Sequence, residues 1–362
     1  MTDAPRPARL GAADEALPDG PAHPSAWRSL LGPLTALAAW NALFFGAALW
    51  RPAWWLGLAG EFVLIVMAAE RVGRRVPPRG RRLYERSLAF GFPVLVLVAW
   101  QLIVDANILS PMWFPPPTRI AAALWDLATG YDKFSGTSLI GRPWLIPAAF
   151  HAHGLAGVWS LFAESHVWVT LARVVAGFVI GMVPGILVGV VMGINQTVRL
   201  MLDATLSAVY VLPKIAIFPL VMLMFSDPFG EGPKITVVAI SVFFLVAINT
   251  MAGVRDIDPV FLQAGRNYGA RGLNLLRHVI IPAALPIIFA GLRLALGTAL
   301  VVIIAVEFLR AKQGVGFITY YYWQVLLPDK MYAALFVVMV LGALLTFVLQ
   351  WIERRVMPWQ RR

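Results

Sequence analysis

Long apolar runs separated by short polar stretches dominate the chain, and their length sets the first expectation. A helix crosses the ~30 Å hydrocarbon core of a bilayer in about 20 apolar residues. Eight segments reach that length, some with a polar interruption: 29–50, 53–70, 88–106, 169–193, 204–225, 234–254, 283–306 and 332–352. The first two are separated by little more than Arg51-Pro52 and read as a tight helical hairpin, with Glu61 interrupting its second arm. Residues 1–28 are polar and rich in Pro and Ala, which predicts a disordered tail. The first apolar run begins only near Ser29, too late for a cleaved secretory signal.

Two local patterns refine this picture. In 169–193 the glycines Gly177, Gly181, Gly185, Gly189 and Gly193 recur every fourth residue and so share one helix face. A face without side chains lets another backbone approach closely, the usual device of helix packing in lipid. Packing inside the chain is the plainer expectation, with a dimer seam or gate hinge as the alternatives. Pro184, inside that stripe, predicts a kink. The second pattern is the stretch Asp258–Pro282, too polar to span, with apolar residues at helical spacing in two groups. Val260, Phe261, Ala264 and Tyr268 form the first group; Leu273, Leu276, Val279 and Ile280 form the second. Gly269 and Gly272 lie between them, so two short amphipathic helices joined by a glycine bend are expected. Their apolar face needs cover, either from the chain's own helix ends or from a partner.

Composition agrees with a lipid environment. Of 362 residues, 59% are hydrophobic and only 14% charged, against roughly 25% charged in soluble domains. The absence of cysteine excludes a disulfide framework, a thiolate metal site and a thiol nucleophile. His151 and His153 are the only histidines close in sequence, and their spacing puts them on different helix faces, so no metal site is suggested.

The net charge of +11 is informative through its placement. With the N-terminus inside, segments 1–28, 71–87, 195–203, 255–282 and 353–362 hold 19 Lys and Arg, and the opposite loops hold 7. Basic residues stay on the cytoplasmic side, so both termini are expected there and the charge reports topology, not nucleic-acid binding. The tyrosines and tryptophan at Tyr320–Trp323 fit an interfacial belt or a docking patch.

The loop also carries a resemblance. Gln263-Ala264-Gly265, three residues, Gly269, nine residues and Val279-Ile280-Ile281-Pro282 resemble the cytoplasmic signature of ABC importer permeases, Glu-Ala-Ala, Gly and Ile-x-Leu-Pro at the same spacing. Gln263 stands for the acid and Gly265 for the second alanine. Thr170–Phe178, Leu212–Leu220, Pro282–Pro286, Gly291-Leu292-Arg293 and Ala305–Phe308 followed by Gly314-Val315-Gly316 resemble the nitrate/sulfonate/taurine/bicarbonate branch of that family. The resemblance runs from about Leu88 to Arg355 and leaves out the hairpin of 29–70. The outer loop near Tyr131–Val158 is longer than the family's usual linker.

The resemblance implies an all-α polytopic membrane protein: a six-helix permease core plus an N-terminal two-helix hairpin, about eight transmembrane helices. The domain expectation is a tail (1–28), a hairpin and basic linker (29–87), a transmembrane domain (88–355) with its coupling loop at 256–282, and a basic tail (356–362). It further implies a multi-pass protein of the bacterial inner membrane and a permease homodimer. The implied partners are cytoplasmic ABC ATPase subunits and an extracytoplasmic substrate-binding protein. No phosphate loop occurs in the chain, so the subunit is expected to be no enzyme and to hold no cofactor; ATP and Mg would sit on the partner. Gln263, Ala264, Gly265, Tyr268 and Gly269 would meet the ATPase, with Pro282 opening the next helix.

Charges within spans usually face a cavity or a partner, which makes Lys214, Arg293 and Glu307 the candidates for the substrate path. Lys214 and Arg293 are read near the middle of their helices, where they would suit a small anion such as nitrate, a sulfonate, taurine or bicarbonate. The competing expectation is that they pair with Asp203, Glu307 or backbone carbonyls. Arg173, one turn into its span, is expected to snorkel outward. A neutral or cationic vitamin-precursor-like cargo is the alternative; a secondary transporter or an intramembrane enzyme lacks the internal repeats or clustered acids and bases it needs.

Overall fold

The computed structural model describes residues 26–360 apart from 48, 50, 51, 75 and 133–135. Most of the expected N-terminal tail, Arg51 of the hairpin turn and the last two residues of the C-terminal tail lie outside the described residues. The helices are α1 (Ala26–Gly46), α2 (Trp54–Gly73), α3 (Pro78–Asp105), α4 (Pro117–Thr129), α5 (Ile146–Ala163), α6 (His166–Ile194) and α7 (Gln196–Val211). They continue with α8 (Phe218–Met222), α9 (Glu231–Arg255), α10 (Pro259–Asn267), α11 (Gly272–Leu275), α12 (Ile281–Arg310), α13 (Val315–Gln324) and α14 (Pro328–Val356). Two-residue strands β1 (Tyr131–Asp132) and β2 (Thr137–Ser138) pair antiparallel. The chain divides into two units, one through Pro111 and one from Met112.

In the first unit α1 and α2 form the expected hairpin. Trp40 Nε1 donates to the Gly57 carbonyl at 3.1 Å, and a Cβ at Gly60 would lie 2.3 Å from the Trp40 ring, so this close approach requires glycine. The Pro77-Pro78 pair sets the start of α3, because Pro fits the first turn of a helix. As a result the basic stretch 79–86 is helical and continuous with the apolar 88–105, not a separate linker.

The second unit is built on α6, α9 and α12. A Cβ at Gly177 would meet Val238 at 2.6 Å; at Gly181, Gly185, Gly189 and Gly193 it would meet Ala239, Phe243, Ala247 and Val254 atoms at 3.0 Å or less. The glycine face is therefore filled by α9. Both series ascend together, so α6 and α9 run parallel. The chain between them must then return the length of the bilayer within 195–230. The expected helix 204–225 does not do this as one piece. Asn195 caps α7, its side chain accepting from the Thr197 and Val198 N–H groups at 2.9 and 3.2 Å, and α7 ends before Pro213. Proline forces the preceding Leu212 into extended backbone (φ −60°, ψ 134°), and 212–217 is not α-helical before α8 begins.

Antiparallel to this pair, α12 packs on α9 through Ala284, Ile287 and Gly291, whose Cβ would lie 2.5 Å from Asn249. A π turn at Leu276–Ile280 joins α11 to α12, giving one apolar rod from Gly272 to Leu309 of 38 residues, about 57 Å long. That is nearly twice the ~30 Å hydrocarbon core, so the α11 end stands outside it. Arg293 lies near the middle of α12. Among the described residues six helices are long and apolar enough to cross: Gly80–Asp105, Pro143–Ala163, His166–Ile194, Glu231–Arg255, Gly272–Leu309 and Pro328–Val356. The second of these falls in the long outer loop, where no helix was expected, and Gly154 interrupts it with φ 61°. α6 runs unbroken through Pro184.

At the far end of the core, α4 lays Leu124 and Leu127 against Val315, Ile318, Ala334 and Leu341 of α13 and α14. Arg119 pairs with Asp329 there at 2.6 Å.

Candidate functional site

The loop between α9 and α12 folds from local signals. Asp258 caps α10, its carboxylate accepting from the Val260 N–H at 2.9 Å, and Pro259 takes the first helical position. The helix stops at Tyr268 because Gly269 turns left-handed (φ 84°), its N–H donating to the Arg266 carbonyl at 3.0 Å. Gly272 repeats the left-handed turn (φ 51°) and opens α11. Leu262, Leu276 and Ile280 face inward and pack on the core. Gly265 is where the two arms touch: a Cβ there would lie 2.8 Å from Val279 and 3.1 Å from Leu275. β-Branched Val279 thus closes on the Gly265 backbone and leaves no free space for a side chain there.

The opposite face remains open. Val260, Phe261, Gln263, Ala264 and Leu273 are exposed, and Tyr268 is 93% exposed. The chain's own helix ends cover one side of the helix pair and leave a second apolar side uncovered.

The three candidate path residues have separate partners. Lys214 lies in the break after α7, not in a helix, and its ammonium donates to the carbonyls of Val209 at 3.3 Å and Leu212 at 2.9 Å and to that of Tyr210. The cation so closes the carbonyl end of α7, where positive charge is favoured, with the Phe244 ring 5.9 Å away. Arg293 pairs at 2.7 Å with Glu353 of α14, a partner outside the expected set. Together they line an open polar pocket with Gln350, Arg354 and Gln360.

Glu307 is the centre of a buried ionic network. It is 1% exposed and accepts from Arg173 Nη1 at 2.7 Å, Thr170 Oγ1 at 2.9 Å and the Gly316 N–H at 2.8 Å. Arg173, 3% exposed, does not snorkel: its other nitrogens hold Glu231, and Nη1 also reaches the Gln313 carbonyl at 2.6 Å. Lys234 closes the network on Glu231 at 3.0 Å. The loop 311–316 is bound into it, since the Val315 N–H donates to Thr170 and the Gly314 N–H to His166 Nδ1. Gly314 takes φ 126°, and a Cβ there would fall 2.3 Å from the Glu307 carboxyl carbon. Four elements are thereby locked at one end: α6, α9, α12 and the start of α13. Glu231 and Lys234 were not anticipated; their i, i+3 spacing at the start of an apolar run was the available signal.

Residues 185–358 match the family described as binding-protein-dependent transport system inner membrane component. A permease of Escherichia coli named for aliphatic sulfonates (SsuC) is 36% identical over 68% of this chain and 90% of its own. The E. coli taurine transport system permease protein TauC is 29% identical over 75% of this chain and 90% of its own. The nitrate import permease protein NrtB of Synechococcus elongatus is 26% identical over 74% and 88%. The loop signature, the multi-pass helical core and these similarities agree: the chain belongs to the family of membrane permease subunits of binding-protein-dependent ABC importers.

Proposed function

We propose that two copies of this chain form a translocation path for a small anion of the sulfonate, taurine or nitrate type, released to it by a substrate-binding protein. The broken pass at 196–230 carries this reading. Non-helical backbone at membrane depth is tolerated only where protein buries it or an aqueous cavity wets it. In the single chain Leu212 and Ile215 are exposed, so a second copy or a wet path must cover the break. Lys214 lies within it and places a cation where an anion would pass, and the names of the relatives favour that charge class. Arg293, engaged with Glu353, serves the fold and drops out of the path, as does Glu307. The open face of α10 and α11 is the docking surface for a cytoplasmic ATPase, which binds and hydrolyses ATP with Mg. Both termini lie on that side, as the distribution of basic residues predicts.

The test is uptake by proteoliposomes holding the permease, its ATPase and its binding protein, with labelled taurine, alkanesulfonate and nitrate. Lys214→Gln is expected to raise the half-saturating concentration of binding protein-delivered anion or to lower uptake several-fold, with ATP hydrolysis retained. Uptake of a neutral cargo alone, unaffected by Lys214→Gln, would replace the anion reading with the vitamin-precursor one.

A further inference from the structure

The segment Pro143–Ala163 is apolar and long enough to cross a bilayer, yet its helix α5 is bent back on itself. Its ends are stapled together. The Ser138 N–H donates to the Glu164 carbonyl at 3.1 Å, the Val167 N–H donates to the Leu139 carbonyl at 3.1 Å, and Ser138 and Ser165 bridge. Arg142 and Glu164 add an ion pair at 2.5 Å. A straight helix over Pro143–Ala163 would hold those ends about 30 Å apart. The reversal is at Gly154, with φ 61° and ψ −143°, a conformation open only to glycine. Beyond it the two arms pack against each other: a Cβ at Gly157 would lie 2.4 Å from the carbonyl oxygen of Ala149, eight residues earlier. In a continuous helix those positions are about 12 Å apart.

From Pro143 to Ala163 no Asp, Glu, Lys or Arg occurs. Trp144, Phe150, Leu155 and Trp159 are all more than half exposed, with Leu155 at 79%. These exposed apolar residues are spread along both arms, with His151, His153 and Ser160 the exposed polar side chains, whereas a helix docked on protein needs only one apolar face. Each arm, 146–153 and 155–163, is about 12–14 Å long, close to half of the ~30 Å core. The stapled ends carry the ion pair, and Trp144 sits beside them, as aromatic side chains do at a membrane interface. The stapled ends share an end of the fold with the ionic network, since Val167 and His166 begin α6.

We propose that α5 is a re-entrant helical hairpin bedded in the outer leaflet, so that the long outer loop is a lipid anchor and adds no crossing. His151 and His153 precede the bend, and ionisable side chains are costly at the bilayer midplane, so the hairpin lies inclined, with its bend short of the midplane. The orientation proposed above enters only in the name of the leaflet.

The chain lacks cysteine, so single-cysteine variants label without background. Ile140→Cys, Phe150→Cys, Leu155→Cys and, as a reference, Ala270→Cys would be placed in proteoliposomes of the full permease. A bimane label would be read against lipids carrying nitroxide at shallow or deep acyl positions, and a membrane-impermeant maleimide applied from either side. Expected are at least threefold stronger acyl-chain quenching at 150 and 155 than at 270, and reaction of Ile140→Cys only from the side opposite Ala270→Cys. Reaction of Ile140→Cys from the Ala270 side would make α5 a true crossing and overturn the proposal. Unquenched labels at 150 and 155 that react freely would mean a water-facing hairpin, and unquenched, unreactive labels one covered by protein, a second copy included; either overturns it. Ala270→Cys reacting from the extracytoplasmic side would instead remove the orientation, leaving the hairpin's geometry to be judged by the quenching.

Discussion

Arg173→Met removes the cation that faces the buried Glu307 carboxylate. Glu307 keeps the Thr170 hydroxyl and the Gly316 N–H, but hydrogen bonds do not neutralise a charge that is 1% exposed. Breaking a buried pair by deleting one partner costs about 3–5 kcal/mol, and the two remaining donors place this case near the lower end, at about 3 kcal/mol. Glu307→Gln is milder, about 1–2 kcal/mol, because Arg173 retains Glu231 and the Gln313 carbonyl. Since half-exposed Glu231 is screened by water, that retained pair counts for less than its geometry suggests. In the double variant no charge is orphaned: the amide that replaces the carboxylate still accepts from Thr170 and Gly316, and Glu231 keeps Lys234. The loss should then fall short of the summed single losses by about 2 kcal/mol, well beyond the ~0.3–0.5 kcal/mol scatter of independent sites. Reversible unfolding in mixed micelles, read through tryptophan emission, gives the cycle. Additive single losses, or an Arg173→Met variant as stable as the wild type, would refute the network as a structural lock.

Other perturbations follow from the same geometry. Gly181→Ala puts a methyl 2.2 Å from the Ala239 carbonyl oxygen and should destabilise by about 1–3 kcal/mol, whereas Gly91→Ala, with nothing within 4 Å, should be neutral or gain up to about 1 kcal/mol; unfolding of both variants side by side checks this. Gly314→Ala, with its Cβ inside the Glu307 carboxyl, should lower the midpoint of thermal unfolding at least as much as Gly181→Ala, and more than Glu307→Gln.

What could be read in the sequence was local. The first short helix and the glycine bend follow from spacing within 25 residues, and the structure places Asp258, Gly269 and Gly272 at the turns; the second expected helix is instead the start of the continuous rod Gly272–Leu309, which runs through Pro282. The glycine stripe on α6 was equally visible, but not its partner, because the choice of α9 rests on residues some 60 positions away. Hydropathy windows respond to composition and not to backbone breaks, so Pro213 was absorbed into one apparent span, and Gly154 and two histidines hid an apolar hairpin. Arg173 looked free to snorkel because neither Glu307, 134 residues on, nor Glu231 shows its proximity in the sequence.

The most direct test of the importer assignment is ATP hydrolysis by the assembled complex in lipid, with and without loaded binding protein, for wild type, Gly269→Pro and Gly269→Asn. Proline cannot adopt φ 84° and loses the N–H that donates to Arg266, while asparagine tolerates the left-handed turn. The expected result is stimulation by the binding protein in wild type and Gly269→Asn, and its loss in a Gly269→Pro complex that still inserts and unfolds like wild type. Equal stimulation in all three would contradict the claim that this loop couples the permease to its ATPase.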